Sequence, residues 1–501
     1  MNKIPDISGV KLNQRTYNQS GNELTITENM DKPCPDIHAL LTVYTGGTPA
    51  DRAIEIHNVL EGFNINGGVL MEDLPIVTII HKDGAMADVV DMIKEQQIES
   101  CKHLVVNKVL ANTKESAINP LDIKIGFDQP IAIERSYIKD FLMTLLTPLE
   151  ADKPYDGIGG FVDHLITKVY ELTQGDTPAI PKMFDAHYNR ELYRISRSLI
   201  NVTDEGEAGY TAQTIANALH VEGEIAGAGS RMRELFWRAR DIAHTFAMPV
   251  LADLITTMDI AGFHYIYTNT VETGETLPQY ARRQILEAIK KYPCFANPTA
   301  FNINANRIAA IDLQDVDAGR DHRQNSLFLQ AARMVAMKKV NYCRSDLMLG
   351  DMDAIYDDYY TELARELEKH KKGLVIEGVD YYKYDPRLMA ALELDARERR
   401  RLGINIIIST DNIADFYDET NTYTAVSDAN RLFIFSEFEG DNLVAFNKMF
   451  TSNKMVMSDL ANMDELGFMS YVRPYRTSLI TTRYHLNRAL FAKQIRAAAV
   501  V

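Results

Sequence analysis

Short apolar runs alternate with longer amphipathic ones along the first hundred residues. The run Ala39-Leu40-Leu41-Thr42-Val43-Tyr44 is continuous, apolar and rich in β-formers, which predicts a buried strand. A turn follows, Thr45-Gly46-Gly47-Thr48-Pro49, and residues 50–63 then read as a helix. The unit recurs. Pro75 to Ile80 predicts a second strand, Gly84 to Gln97 a helix with Met86, Val89, Val90 and Ile93 on one face, and His103 to Val109 a third strand. Strands of this type joined by helices predict a parallel sheet covered on both faces.

From about Ile131 to Tyr292 the pattern is helical throughout, with helices predicted over Ile131 to Leu146, Phe161 to Leu172, His187 to Leu199 and Leu277 to Lys291. Alternation returns with a strand at Arg307 to Leu313, a helix over Asn325 to Asn341, a strand at Gly373 to Val379 and a helix over Pro386 to Leu402. Strands at Ile404 to Ser409 and Arg431 to Phe435 follow. One α/β core split by a helical insertion accounts for this order. It assigns an N-terminal arm to 1–37, the first part of the core to 38–130, an all-helical domain to 131–300, and the second part of the core with a C-terminal segment to 301–501. The arm is polar, with turn formers around Asn18 to Gly21 and a stop at Pro33-Cys34-Pro35, and reads as an arm or an edge hairpin.

The 501 residues are 46% apolar and 24% charged, enough to bury two or three domain cores and too apolar for a disordered chain. The formal charge of -16 disfavours nonspecific binding to nucleic acid or an anionic membrane and directs attention to protein partners. The four cysteines, Cys34, Cys101, Cys294 and Cys343, form no CxxC pair and read as reduced thiols. No window has the length of apolar sequence that a membrane span needs, and the start lacks the apolar core of a secretory signal, so a cytoplasmic location is expected.

A glycine-rich turn between a first strand and its helix is where α/β proteins hold phosphates, because backbone amides and the helix N-terminus converge there. Here the turn reads Gly46-Gly47-Thr48-Pro49-Ala50-Asp51-Arg52-Ala53. Laid on the phosphate-loop pattern GxxxxGK[ST], Gly46 holds the first position. Asp51 replaces the second glycine, Arg52 the lysine, and Ala53 the hydroxyl that ligates magnesium. A carboxylate beside a polyphosphate is repelled by on the order of 4 kcal/mol at about 4 Å for an effective dielectric of about 20. Taken alone the segment also reads as an ordinary strand-to-helix turn with Asp51 at the helix start. The candidate phosphate-contact residues are Gly46, Gly47, Thr48 and Arg52.

A phosphate-loop ATPase also needs an apolar strand ending in an acidic pair, one carboxylate toward magnesium and the next polarising water. Leu374-Val375-Ile376-Glu377-Gly378 is the matching strand, in which Glu377 takes the metal-side position and Gly378 removes the base. Glu377 reads equally as a strand-end carboxylate in a salt bridge. Strand Ile404 to Ser409 runs into Thr410 and Asp411, which places Asp411 where a polar γ-phosphate sensor would sit. Arg397, Arg399, Arg400 and Arg401 read either as fingers toward a neighbouring subunit or, with Glu393, Asp395 and Glu398, as a solvated helix face. Arg473 and Arg476 are weak candidates for a channel lining. His38, His57, His81 and His103 lack metal-ligand spacing, and HExxH and GxSxG are both absent. Residues 223–229 read as a helix-to-helix turn, and the tyrosine-rich segments at Asp357 to Tyr360 and Tyr381 to Tyr384 read as core or interface packing.

Several separate elements coincide further along. Ile118-Asn119-Pro120-Leu121-Asp122-Ile123-Lys124-Ile125-Gly126-Phe127 is followed by Glu134-Arg135 and Phe141-Leu142, then by Thr147-Pro148 and Pro154-Tyr155-Asp156-Gly157-Ile158-Gly159-Gly160. In this order and spacing they resemble the IcmB/DotO (TraU-like) family of type IV secretion and conjugation ATPases. The resemblance extends through Ala310 to Val316 and Arg397 to Asp415. It implies a phosphate-loop NTPase (RecA-like) core with an inserted all-helical domain, and a place in a type IV secretion machine as an oligomer among other secretion subunits, with an intact ATPase paralogue as one partner. It also implies a cytoplasmic position peripheral to the inner face of the membrane. Members are usually longer, so an upstream domain and part of the C-terminal region are expected to be missing. Their nucleotide motifs are normally intact, whereas Asp51, Arg52, Ala53, Gly378 and Asp411 depart. The expected role is therefore structural or regulatory, without hydrolysis; no cofactor is assigned, and nucleotide binding without turnover stays open between this role and an active ATPase. The alternative is an active ATPase with ATP and magnesium, in which Arg52 contacts phosphate and a partner subunit supplies the missing groups.

Overall fold

The computed structural model describes residues 16–17, 23–24, 41–61, 75–82, 84–96, 105–148, 153–174, 178–182, 211–227, 229–300, 306–316, 322–340, 352–382, 385–398, 402–416, 431–435, 440–450, 467–472 and 480–485. Contacts divide the chain into a sheet unit, 1–108 with 306–314 and 370–501, and a helical unit, 109–305 with 315–369. The sheet unit begins with β1 (Leu41–Thr45), α1 (Pro49–Glu61), β2 (Ile76–His81), α2 (Gly84–Gln96) and β3 (Val105–Val109). The helical unit follows with α3 (Ala132–Leu146), α4 (Ile158–Thr173), α5 (Ala212–Ala226), α6 (Arg231–Ala247), α7 (Leu251–Ile260), the single turn α8 (Phe263–Ile266) and α9 (Leu277–Lys291). β4 (Ile308–Asp312) re-enters the sheet, while α10 (His322–Val340) and α11 (Asp357–Lys369) belong to the helical unit. β5 (Lys372–Ile376), α12 (Pro386–Glu398), β6 (Ile404–Thr410), β7 (Arg431–Phe435), α13 (Asp441–Phe450), β8 (Gly467–Val472) and β9 (Ile480–His485) complete the sheet unit.

The strands lie in the order β9-β8-β7-β1-β6-β5-β2-β4-β3. Strands β7, β1, β6, β5, β2 and β4 pair in parallel, and β8 and β9 extend the sheet antiparallel beyond β7. Continuous apolar sequence is what a parallel strand covered on both faces requires, and β2 is buried at every position. Met86, Val89, Val90 and Ile93, the predicted face of α2, join Ile56 and Leu60 of α1 in a core laid on Val77, Ile79, Val375 and Ile407. At about 1.5–3 kcal/mol for each fully buried aliphatic side chain, this layer dominates the stability of the unit. Near the N-terminus, Thr16–Tyr17 pairs antiparallel with Glu23–Leu24.

The structure departs from the sequence reading in three places. The strand expected through Val379 stops at Ile376, because Gly378 turns the chain at φ 72° and a short helical turn over Val379–Tyr382 follows. Residues 223–229 are not all turn: α5 runs to Ala226, and Gly227 and Gly229, both with positive φ, make the bend. Gly223 lies inside that helix, where a Cβ would stand 2.5 Å from the Trp237 ring nitrogen. Helices α10 and α11, assigned by sequence to the second part of the core, pack in the helical unit. There Gln330 donates to Thr144 Oγ1 at 2.9 Å and Arg333 pairs with Asp140 across to α3. The helix expected over His187 to Leu199, together with Arg399, Arg400, Arg401, Arg473 and Arg476 and the side chain of Arg397, lies outside the described residues. Among the described residues no helix is long and apolar enough to cross a membrane.

The segment 119–127 follows β3 and leads into α3, and the helical unit is assembled around it. Its carbonyls at Leu121, Ile123 and Ile125 accept from Tyr170 Oη of α4, His244 Nε2 of α6 and Tyr360 Oη of α11, at 2.5, 2.8 and 2.8 Å. Every second carbonyl is thus taken by a different helix. Asn119 donates to the Pro249 carbonyl at 2.8 Å, and Glu134 accepts from the backbone N–H groups of Lys124 and Ile131 while pairing with the buried Lys124 ammonium. Burial holds the Tyr170 hydroxyl well above its usual pKa, so at neutral pH it remains the donor this contact needs. The backbone carbonyls of the INPLDIKIGF segment, with Asn119 and Lys124, therefore frame the helical unit.

Candidate functional site: the strand-end loop

Parallel register brings the carboxyl ends of the central strands level. Thr45 is opposite Thr410, Ile376 opposite Ile408, and His81 opposite Asp312. In open parallel sheets ligands bind beyond these ends. Strand β6 lies between β1 and β5, so Asp411 emerges between the glycine loop and the acidic strand.

The loop itself is built from local rules. Gly46 and Gly47 both have positive φ, 75° and 64°. Thr48 caps α1 with Pro49 at the first helical position. Thr48 N–H and Oγ1–H donate to Asp51 Oδ2 at 3.2 and 2.8 Å, and Asp51 N–H returns to Thr48 Oγ1 at 3.3 Å. Asp51 is thus the acidic member of a reciprocal cap, fully buried at the helix start. Gly47 sits under Phe435 of β7, where a Cβ would stand 2.7 Å from Phe435 Cβ. Gly47→Ala is expected to cost about 2–4 kcal/mol, from the left-handed φ and the overlap together, read as a lower urea midpoint with unchanged slope.

Arg52 points back under the loop. Its guanidinium is 2% exposed and uses each nitrogen: Nε donates to Ser409 Oγ at 2.9 Å, one terminal nitrogen to the carbonyls of Gly46 and Gly47 at 2.9 and 3.1 Å, and the other to Asp411 Oδ1. The Asp411 carboxylate is 51% exposed, and its backbone carbonyl accepts from Gly46 N–H at 3.2 Å. The centre of the loop is consequently lined by acceptors, two carbonyls, a hydroxyl oxygen and a carboxylate, with a guanidinium seated among them. Of the loop amides, those of Gly46, Thr48, Asp51 and Arg52 are engaged within the chain.

Five of the six residues singled out by sequence, Gly46, Gly47, Thr48, Arg52 and Asp411, therefore lie together. Glu377 turns to the opposite neighbour of its strand: Oε2 accepts from Lys82 N–H at 3.0 Å and its own N–H donates to the Ile80 carbonyl. Asp380, two residues beyond Gly378, stands closer, accepting from Asp411 N–H at 3.4 Å. Burial and the Asp411 carboxylate both push its pKa up. Sequence reasoning misses Ser409; its place beside Thr410 at the buried end of β6 is the available signal. His57 and His81 are buried.

A parallel sheet with a glycine turn after β1, an acidic strand two places away and a polar strand end between them defines an α/β fold of the phosphate-loop ATPase type, with helical insertions. The solved structure of VirB4 from Thermoanaerobacter pseudethanolicus has this fold. It is similar over 96% of this chain and 97% of its own, at a TM-score of 0.51 and 13% sequence identity. No protein-family model matches the sequence, and no curated protein does either.

Proposed function

We propose that this chain is a type IV secretion ATPase-like component that has lost nucleotide hydrolysis and serves a structural or regulatory role in its assembly, as the IcmB/DotO-like segments suggest. The likeness to VirB4 supports the secretion setting at the level of fold. The observation that carries the loss is the seated guanidinium: a phosphate needs donors, and the interior of this loop offers acceptors already bound to Arg52. The residues do not fit a magnesium triphosphate. Asp51 is fixed at the helix start, Ala53 has no hydroxyl for the metal, Gly378 provides no base, and Arg52 is committed to Asp411. The alternative, an ATPase using Arg52 as its phosphate ligand, requires that guanidinium to leave four acceptors. On this reading the chain is cytoplasmic, works through other secretion subunits, an intact ATPase paralogue among them, and takes no ATP.

Isothermal titration with Mg-ATP and a nonhydrolysable analogue, run beside a phosphate-release assay, tests this. We expect neither heat nor release. Micromolar binding with turnover that Arg52→Ala abolishes would establish the ATPase reading instead.

A further inference from the structure

The α5–α6 hairpin meets residues 353–360 at one imidazole. His220 of α5 is buried, with Nε2 2.9 Å from the Ile355 carbonyl and Nδ1 3.0 Å from a terminal nitrogen of Arg240. A guanidinium only donates, so Nδ1 must accept, and Nε2 then carries the proton given to Ile355. Both ring nitrogens are in use, and the ring is stacked on Tyr356 with centroids 4.1 Å apart. The joint as built holds only a neutral imidazole with one tautomer.

We propose that this joint is a proton-operated latch: protonation of His220 drives the imidazole off Arg240 and loosens residues 353–360 from the α5–α6 hairpin, where Asn217 of α5 still accepts from Tyr356 Oη at 2.9 Å and donates to Asp353 at 3.3 Å. A proton on Nδ1 would face the Arg240 N–H head-on, two donors and two positive charges in contact. Arg240 cannot withdraw in response. Asp241 accepts from its Nε and its second terminal nitrogen at 2.9 and 2.7 Å, and the rings of Trp237 and Tyr359 lie against its guanidinium at 4.9 and 4.6 Å. The movable partner is the imidazole, and its departure breaks the Ile355 bond and the Tyr356 stack together.

The surrounding charges are Glu224 on α5, Arg233, Arg240 and Asp241 on α6, and Asp353, Tyr356 and Tyr359 from the opposing segment. Glu224 is paired with Arg233, and Asp241 is committed to Arg240, so neither is placed to neutralise a new imidazolium. Burial and then Arg240 hold the His220 pKa below its ordinary 6.5. For a histidine whose folded pKa is lowered, the contribution to stability is complete above the unfolded value and is lost as pH falls through the folded one. The latch is therefore closed at neutral pH and opens in acid.

The chain has one tryptophan, and Trp237 is part of this cluster, 5.1 Å from Tyr359 and stacked near His220. Its fluorescence, followed from about pH 7.5 to about pH 5, is expected to change in one transition centred below the free-imidazole value. His220→Gln, which keeps a neutral donor for Ile355, removes that transition. His244→Gln, a second buried histidine with lowered pKa in the same unit, leaves it in place. Hydrogen exchange of the unaltered protein gives a readout that needs no variant: after correction for intrinsic rates, residues 353–360 lose protection in acid by about tenfold for each unit of pKa depression, while α9 does not. A flat fluorescence titration, a transition that survives in His220→Gln, or equal loss of protection in α9 would overturn the proposal.

Discussion

Arg52→Ala is expected to lower the stability of the sheet unit by about 2–4 kcal/mol, and millimolar guanidinium is expected to restore part of the loss. The substitution strands the Gly46 and Gly47 carbonyls and Ser409 Oγ, all now satisfied by one buried cation, and leaves the exposed side of Asp411 as the only group water can readily serve. The cost comes from desolvated acceptors rather than from the ion pair, whose carboxylate is half in solvent. A guanidinium ion matches the vacated volume and the acceptor pattern, while sodium or an alkylammonium at the same ionic strength lacks the planar fork. Urea midpoints with and without each ion decide the matter. Equal rescue by sodium would mean that the acceptors do not form a guanidinium cradle. Arg52→Lys, which keeps the charge and loses the fork, should fall between.

Gly126→Ala is expected to cost about 2–5 kcal/mol in the helical unit, from about 1–2 for a left-handed φ and the rest for steric overlap. Gly126 has φ 82°, and a Cβ there would lie 2.4 Å from a Tyr356 ring carbon. The Gly126 carbonyl also accepts from Asp353 N–H at 2.8 Å, so the ring cannot back away without pulling its own chain off the segment. A double-mutant cycle separates the two contributions. Tyr356→Ala should relieve the overlap and leave the φ cost, making the pair cheaper than the sum of the single changes. Strict additivity would show that the ring yields freely and that only the backbone conformation requires glycine.

The alternating architecture was legible because its strands are unbroken apolar runs and its helices carry apolar faces at fixed spacing; β7 and α9 fall where the pattern alone put them. What escaped is of another kind. Arg52 and Asp411 are 359 positions apart, so no local rule joins them. A signal did exist, since the basic departure at the lysine position and the acidic departure at the sensor position carry opposite charges and suit each other. Reading each separately against a nucleotide hid their complementarity. The segment from Asn119 to Gly126 was legible as a resemblance and opaque as physics, because the hydroxyls and imidazole that its carbonyls receive come from helices dozens to hundreds of residues away. The strand order, with β6 between β1 and β5, follows from no periodicity either.

The closed circuit of Arg52, Ser409, Asp411 and the two glycine carbonyls also bears on how such a loop can change over generations. Changing Arg52 to a lysine or Asp411 to a neutral residue one at a time leaves the remaining members facing groups they no longer match, so each single step out of this arrangement is expected to be uphill while the combined change could be level. A lineage that crosses into this arrangement is held there by epistasis, and its loop works as a ratchet.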